Sequence, residues 1–198
     1  GFYISGHPLR RYEIEYNSFA SIRFGETEKL EDVEVVRACG VITNLKTKID
    51  KSGRTMAFFT LDDFSGSCEA LMFAKIYENY GKFIEEEECV FIIGRPESSG
   101  DAIKLHIEKV IPLEEAREKF TESVNIRLDK QKNSPEKIKE LKNIFIQHKG
   151  NLPLYIHLAE NGSKPQTFSL RKHRIKLCDE FFASVKNLLG EDSITLYN

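Results

Sequence analysis

Nothing in this 198-residue chain offers a metal cage or a disulfide framework. Its four cysteines, Cys39, Cys68, Cys89 and Cys178, lie far apart, with no Cys-x-x-Cys pair. Three of them sit in apolar, strand-like runs, where cysteine behaves as a small hydrophobe. They are expected to be buried reduced thiols rather than bridges. The five histidines show no ligand spacing such as His-x-x-x-His, so no metal site is expected. Long hydrophobic runs are missing too: none approaches the ~20 residues a helix needs to cross a bilayer, and no signal-peptide pattern is visible. Asn161-Gly162-Ser163 matches a glycosylation acceptor, but without a secretory context it reads as a turn. The expected compartment is the cytoplasm, with no membrane contact. A large excess of positive charge is also lacking. The net charge of −2 excludes a globally basic nucleic-acid coat, so any such binding has to use a local patch. The chain opens Gly1-Phe2-Tyr3-Ile4 rather than on methionine, and is expected to be a piece of a longer protein.

Apolar residues make up 40% of the chain and include 14 Phe, enough for packed cores in one large or two small domains. Residues 1–33 read as a lead-in packed on the first domain, with a turn at Gly6-His7-Pro8-Leu9 and then Tyr12, Tyr16 and Phe19. Residues 34–113 read as five strands and one helix. The strands are Val35 to about Lys48, Thr55 to Asp62, Ser67 to Phe73, Cys89 to Gly94 and Ala102 to Ile111. Gly40 marks an expected bend in the first, and Glu97 to Asp101 the loop between the last two. Ile76, Tyr77, Tyr80, Phe83 and Ile84 recur at helical spacing, which predicts an amphipathic helix from about Ala74 to Glu85. Three strands, a helix and two strands is the order of the five-stranded oligonucleotide-binding (OB) barrel.

Residues 114–123 are charged and helix-prone and are read as a linker. Residues 124–198 come next as a small α+β domain of β-α-β-β-α-β order, which matches a split βαβ sandwich. Its first helix, Pro135 to Lys149, has Ser134 as N-cap, Pro135 at the first position and Gly150 just past the end. Its second, Asp179 to Leu189, is stopped by Gly190. The fold class is therefore β-rich α+β.

The stretch from Ala38 to Phe73 carries the functional signal. Lys46, Lys48, Lys51 and Arg54 crowd one loop against a single acid, Asp50, and an aromatic pair, Phe58-Phe59, comes after it. Cations that track phosphates beside a ring that stacks on a base are how small barrels hold single strands. Alternation puts Ala57, Phe59 and Leu61 inward and Met56, Phe58 and Thr60 outward, beside the basic loop. Phe58 is then the stacking candidate; the alternative is that both rings are core. The alternative for the loop is a solvated hairpin tip. Arg95 and Lys104 flank the other loop of such a groove, or else protect an edge strand by charge. A second basic cluster, Lys164, Arg171, Lys172, Arg174 and Lys176, holds no acid; it fits either a phosphate or acidic-partner contact or a solvated loop. The run Glu85 to Glu88 and the pair Asp62-Asp63 are consecutive, fan out around the chain, and do not converge on one ion. No nucleophile, base or metal shell assembles, so no catalytic residue is expected.

Three segments resemble the C-terminal region of the bacterial replicative DNA polymerase III alpha subunit: FYISGHPL at Phe2 to Leu9, the block from Cys39 to Phe73, and EEAREKF from Glu114 to Phe120. The tail ending LLGEDSITLYN is similar to that family's C-terminus. The resemblance implies a parent nucleotidyltransferase that uses Mg2+ held by palm-domain aspartates outside this segment. It also implies a barrel that holds single-stranded template DNA, and a last domain that docks the clamp-loader tau subunit or other replisome subunits. The expected function is thus non-catalytic: single-strand binding by the barrel and partner docking by the last domain, with no cofactor in this segment. Two alternatives stand beside it: a barrel that serves only as scaffold and protein contact, and an RNA-binding barrel of the anticodon-binding type.

Overall fold

The computed structural model describes residues 7–26, 33–99, 102–129, 133–159 and 166–198. The chain divides into two units, Gly1–Ala116 and Arg117–Asn198. Most of the Phe2 to Leu9 motif, the Asn161-Gly162-Ser163 turn and Lys164 lie outside the described residues.

In the first unit, β1 (Val36–Ile49), β2 (Thr55–Asp62), β3 (Ser67–Met72), β4 (Cys89–Ser99) and β5 (Ala102–Pro112) close a barrel in the order β1-β2-β3-β5-β4. Neighbours are antiparallel except β3 and β5, which run parallel from Glu69↔Lys104 to Leu71↔His106. A parallel pair needs a crossover, and here it includes α2 (Ala74–Tyr80) with a 3-10 turn, Gly81–Phe83. Ile76, Tyr77, Tyr80 and Phe83 pack against the barrel core, and Ile84 joins it. The helix stops short of the expected Glu85, because Gly81 opens the tighter turn.

The bend in β1 falls at Asn44 rather than Gly40. Register shifts between Thr43 and Lys46, and Asn44 has φ of 55°, a left-handed conformation that asparagine tolerates. The bulge turns the Leu45 N–H out of the ladder, and the Glu86 carboxylate accepts it at 2.6 Å. Gly40 has another reason to be small: a Cβ there would stand 3.1 Å from the Asp62 carbonyl oxygen and from Leu61 Cβ.

β1 is buried on both faces from Ala38 to Ile42, which simple alternation does not explain. Val36, Ala38 and Ile42 face the barrel core. The other face lies under the lead-in, a 3-10 turn (Pro8–Tyr12) followed by α1 (Glu13–Phe19). Leu9, Tyr16 and Phe19 are buried, and Phe19 meets Phe91 of β4 edge-on at 6.3 Å. Asp63 ties this layer to the β2–β3 turn. One of its carboxylate oxygens accepts from the Tyr16 hydroxyl (2.9 Å) and the Phe24 N–H (3.0 Å). The other accepts from Ser65 N–H, Ser65 Oγ and Gly66 N–H at 2.6–2.8 Å.

Burial also sets the thiol chemistry. Cys39, Cys68 and Cys89 are buried, and Cys178 is half-buried; all four are free. Burial pushes the Cys68 thiol up to about 12, the Cys89 thiol up to about 11 and Cys39 well above its ordinary value. At pH 8 an aromatic disulfide reagent is therefore expected to leave these three unreacted until denaturant is added. Early release from any of them would show that the barrel opens. The same shifts fix a sign. Unfolded thiols ionise near ~8.5 while the folded ones keep their protons, so these groups lower stability as pH rises from ~8.5 toward 11.

α3 (Leu113–Phe120) occupies most of the expected linker, and in sequence the first unit ends within it, at Ala116. The sheet of the second unit has the order β8-β7-β6-β9, from β6 (Ser123–Asp129), β7 (Lys149–Ala159), β8 (Gln166–Ile175) and β9 (Ile194–Tyr197). The order of elements is β-α-β-β-α-β, but the sandwich is not split. β6 and β7 are direct parallel neighbours from Val124↔Leu154 to Asp129↔Ala159, which leaves no slot between them. β8 pairs antiparallel with β7 on its outer edge. α4 (Pro135–Gln147) and α5 (Asp179–Leu189) pack on each other. The Ser134 hydroxyl accepts from Lys137 N–H as the N-cap of α4. Gly150 lies in β7, beyond the helix, where a Cβ would collide with the backbone of Ile175 and Lys176. Among the described residues no helix is long and apolar enough to cross a membrane.

Candidate nucleic-acid interface

Side chains at paired positions of a sheet share a face. Across the barrel, Lys46 of β1 lies opposite Phe58 of β2, Phe58 opposite Leu71 of β3, Leu71 opposite His106 of β5, and His106 opposite Arg95 of β4. The next row reads Thr43, Thr60, Glu69, Lys104, Glu97. Their inward neighbours in β2, Ala57, Phe59 and Leu61, are core. Phe59 is 4% exposed, whereas Phe58 is only half-buried and carries the Lys48 ammonium 5.3 Å from its ring centroid.

Lys46, Lys48, Phe58, Thr60, Arg95 and Lys104 therefore share one outer face. Lys51 sits exposed in the β1–β2 turn. That turn is built by Asp50, whose carboxylate accepts from the Ser52 and Arg54 N–H groups at 2.8 and 2.9 Å. Gly53 has φ of 78°, which its lack of a Cβ allows. The Arg54 guanidinium lies 3.2 Å from the same carboxylate and borders a cleft with Thr55, Tyr77, Glu78 and Lys82. The Arg54 N–H above all, then Ser52 N–H and the guanidinium charge, hold the Asp50 carboxyl below the usual range. Arg54 thus shapes the loop more than it faces Phe58.

The other cations are partly committed. Arg95 pairs with Glu108 at 2.6 Å and Lys104 with Glu69 at 3.4 Å. Among the described residues no ion pair involves Lys46, Lys48 or Lys51. The loop expected between β4 and β5 is shorter, since the two strands pair out to Ser99↔Ala102. Arg171, Lys172 and Arg174 fall on β8 rather than in a loop, and Lys176 just after it; all four are exposed. Arg174 Nε donates to the Asn151 carbonyl at 2.8 Å. Sequence reasoning missed the outward side of β3. The inward burial of Cys68, Ala70 and Met72 sends Glu69, Leu71 and Phe73 outward, and the alternation of that strand was the signal that could have found them.

Residues 36–113 match the sequence profile of the OB-fold nucleic acid binding domain. The barrel is an OB fold. Beyond the OB barrel, nearly the whole chain is similar to bacterial DNA polymerase III alpha subunits. It is 27% identical to that of Pseudomonas aeruginosa over 198 residues, which is 99% of this chain and 17% of the relative. Against the Pseudomonas fluorescens subunit the identity is 28% over 200 residues, with the same coverage. The chain thus spans 17% of the length of these relatives. The chain is also similar to a solved mitochondrial single-stranded DNA binding protein from S. cerevisiae, at 10% identity and a TM-score of 0.33, over 41% of this chain and 95% of that one. Among the described residues no group of three or more His, Cys, Asp or Glu could hold a metal ion.

Proposed function

We propose that the outer face of the OB barrel holds single-stranded template DNA for a replicative polymerase, and that this segment contributes binding rather than catalysis. The carrying observation is the Lys46–Phe58 pair with the Lys48 ammonium beside the same ring. The exposed side of Phe58 offers a flat surface to a base, and the lysines lie where the flanking phosphates would pass. The second unit is proposed to dock a replisome protein, with the clamp-loader tau subunit as the candidate partner; the polymerase likeness over that unit supports this. The proposed compartment is the cytoplasm.

Fluorescence anisotropy with a labelled single strand tests the barrel. Affinity is expected to fall with salt at a slope of about −0.7 per neutralised phosphate. Changing Lys46, Lys48, Lys51 and Arg54 together to alanine is expected to flatten that slope, with Arg54 contributing least. An unchanged slope would move the binding face elsewhere or favour the second reading, a barrel used only as scaffold. That reading draws on the ion pairs that already occupy Arg54, Arg95 and Lys104.

A further inference from the structure

We infer that Phe73 and His106 form a second base-stacking station on the same OB face, diagonal to Phe58. The inference rests on reading that face as a single-strand groove. Phe73 comes directly after β3 and points outward with Leu71, and at 49% exposure it leaves a large apolar ring open to solvent. Its position is fixed by backbone rather than by the ring. The Phe73 carbonyl accepts from both Ile76 and Tyr77 N–H at 2.9 Å and starts α2, a task any residue performs. The ring is therefore not accounted for by the fold.

His106 stands beside it, ring centroids 5.7 Å apart and planes tilted by 34°. Glu97 Oε2 holds the His106 Nε2 at 2.6 Å, which fixes the imidazole. Leu71 lies opposite Phe58, and Phe73 is two residues further along. Such diagonal neighbours are separated by ~7–8 Å, a span that two successive unstacked bases of an extended strand can bridge. Leu71 supplies an apolar floor between the rings. Of the carboxylates nearby, Glu69 and Glu108 are paired with cations, Lys104 and Arg95, and Glu97 is engaged by the His106 ring. The ligand class is nucleobases of a single strand, taken by their π-faces and so with little sequence preference.

Labelled oligothymidylate and the whole 198-residue chain test this at low salt. Phe73→Ala is expected to weaken binding about fivefold or more, with the salt slope and melting temperature unchanged, since no phosphate contact or core packing is lost. Phe73→Trp is expected to restore affinity. If alanine at 73 perturbs folding, Phe73→Leu keeps apolar volume without a flat π-face and reads the same loss. Wild-type affinity in Phe73→Ala, or a loss that tryptophan does not restore, would overturn the second station. If the four-cation variant still flattens the salt slope, the proposed function then survives. Absence of any single-strand binding by the unaltered chain would remove both.

Discussion

Phe59→Ala is expected to destabilise the barrel by ~3–5 kcal/mol, the usual cost of emptying a buried Phe site. Domains of this size are stable by about 5–15 kcal/mol, so the variant would sit near the edge of folding at ambient temperature. The reason is geometric. Phe59 belongs to the buried core cluster of a closed barrel, together with Ala57, Leu61, Met72 and Leu105, where neighbouring strands cannot slide inward to fill a void without breaking their ladders. Phe58, one residue away, points to the other side. Phe58→Ala is expected to leave urea midpoints almost unchanged and to weaken single-strand binding by ~1–3 kcal/mol. Urea denaturation of both variants, with anisotropy on the folded one, checks the pair. Equal destabilisation by the two would retire Phe58 as a ligand.

Asp63→Ala is the second large effect. The carboxylate accepts five hydrogen bonds, and alanine returns none of them. The donors on Tyr16 and Phe24 belong to buried residues, and each orphaned buried donor costs about 1–3 kcal/mol. A total loss of ~3–5 kcal/mol is expected from these and the opened turn, with the lead-in released from the barrel and becoming accessible to protease. Tyr16→Phe removes one donor and is expected to cost only ~1–2 kcal/mol. It carries a pH signature as well. Burial first, and then the hydrogen bond to Asp63, raise the Tyr16 phenol above its ordinary value. Unfolded phenol ionises near ~10 while the folded group keeps its proton, so wild-type stability falls as pH rises past ~10. Tyr16→Phe should remove that part of the alkaline loss. A protease-resistant lead-in in Asp63→Ala would show that Asp63 is not the tie.

The barrel was legible because its signals are local. Alternation in Thr55 to Asp62, the Ser52-Gly53 and Asp63-to-Gly66 turns, and the spacing of Ile76, Tyr77 and Tyr80 each arise from a few neighbouring residues. The features that escaped reading depend on contacts distant in sequence. The bulge settles at Asn44 because Glu86, far along the chain, can take the freed Leu45 N–H. Doubly buried β1 reflects a lead-in whose packing on it no periodicity announces. The unsplit order of the second sheet was hidden for the same reason: β-α-β-β-α-β leaves the edge chosen by β8 undetermined. At the candidate site, residue type found the cations, but only strand register shows that Lys46, Phe58, Leu71 and His106 share a row. The structure also turns Arg54 to Asp50, a pairing that residue type alone does not reveal.

The parallel β3–β5 seam has a kinetic consequence. Every other seam of the barrel joins antiparallel strands, and the β1–β2, β2–β3 and β4–β5 pairs are hairpin partners that can form soon after their turns. Joining Glu69 to Lys104 instead requires the intervening chain, with α2 and β4, to be looped back first, so loop-closure entropy is lost before any contact across that seam offsets it. The β1–β4 seam spans more chain still, from Val36↔Gly94 to Val41↔Cys89, so these two long-range seams together make barrel closure the expected slow step of refolding. Until it is complete, β3 and β5 present unpaired edges that invite pairing with another chain.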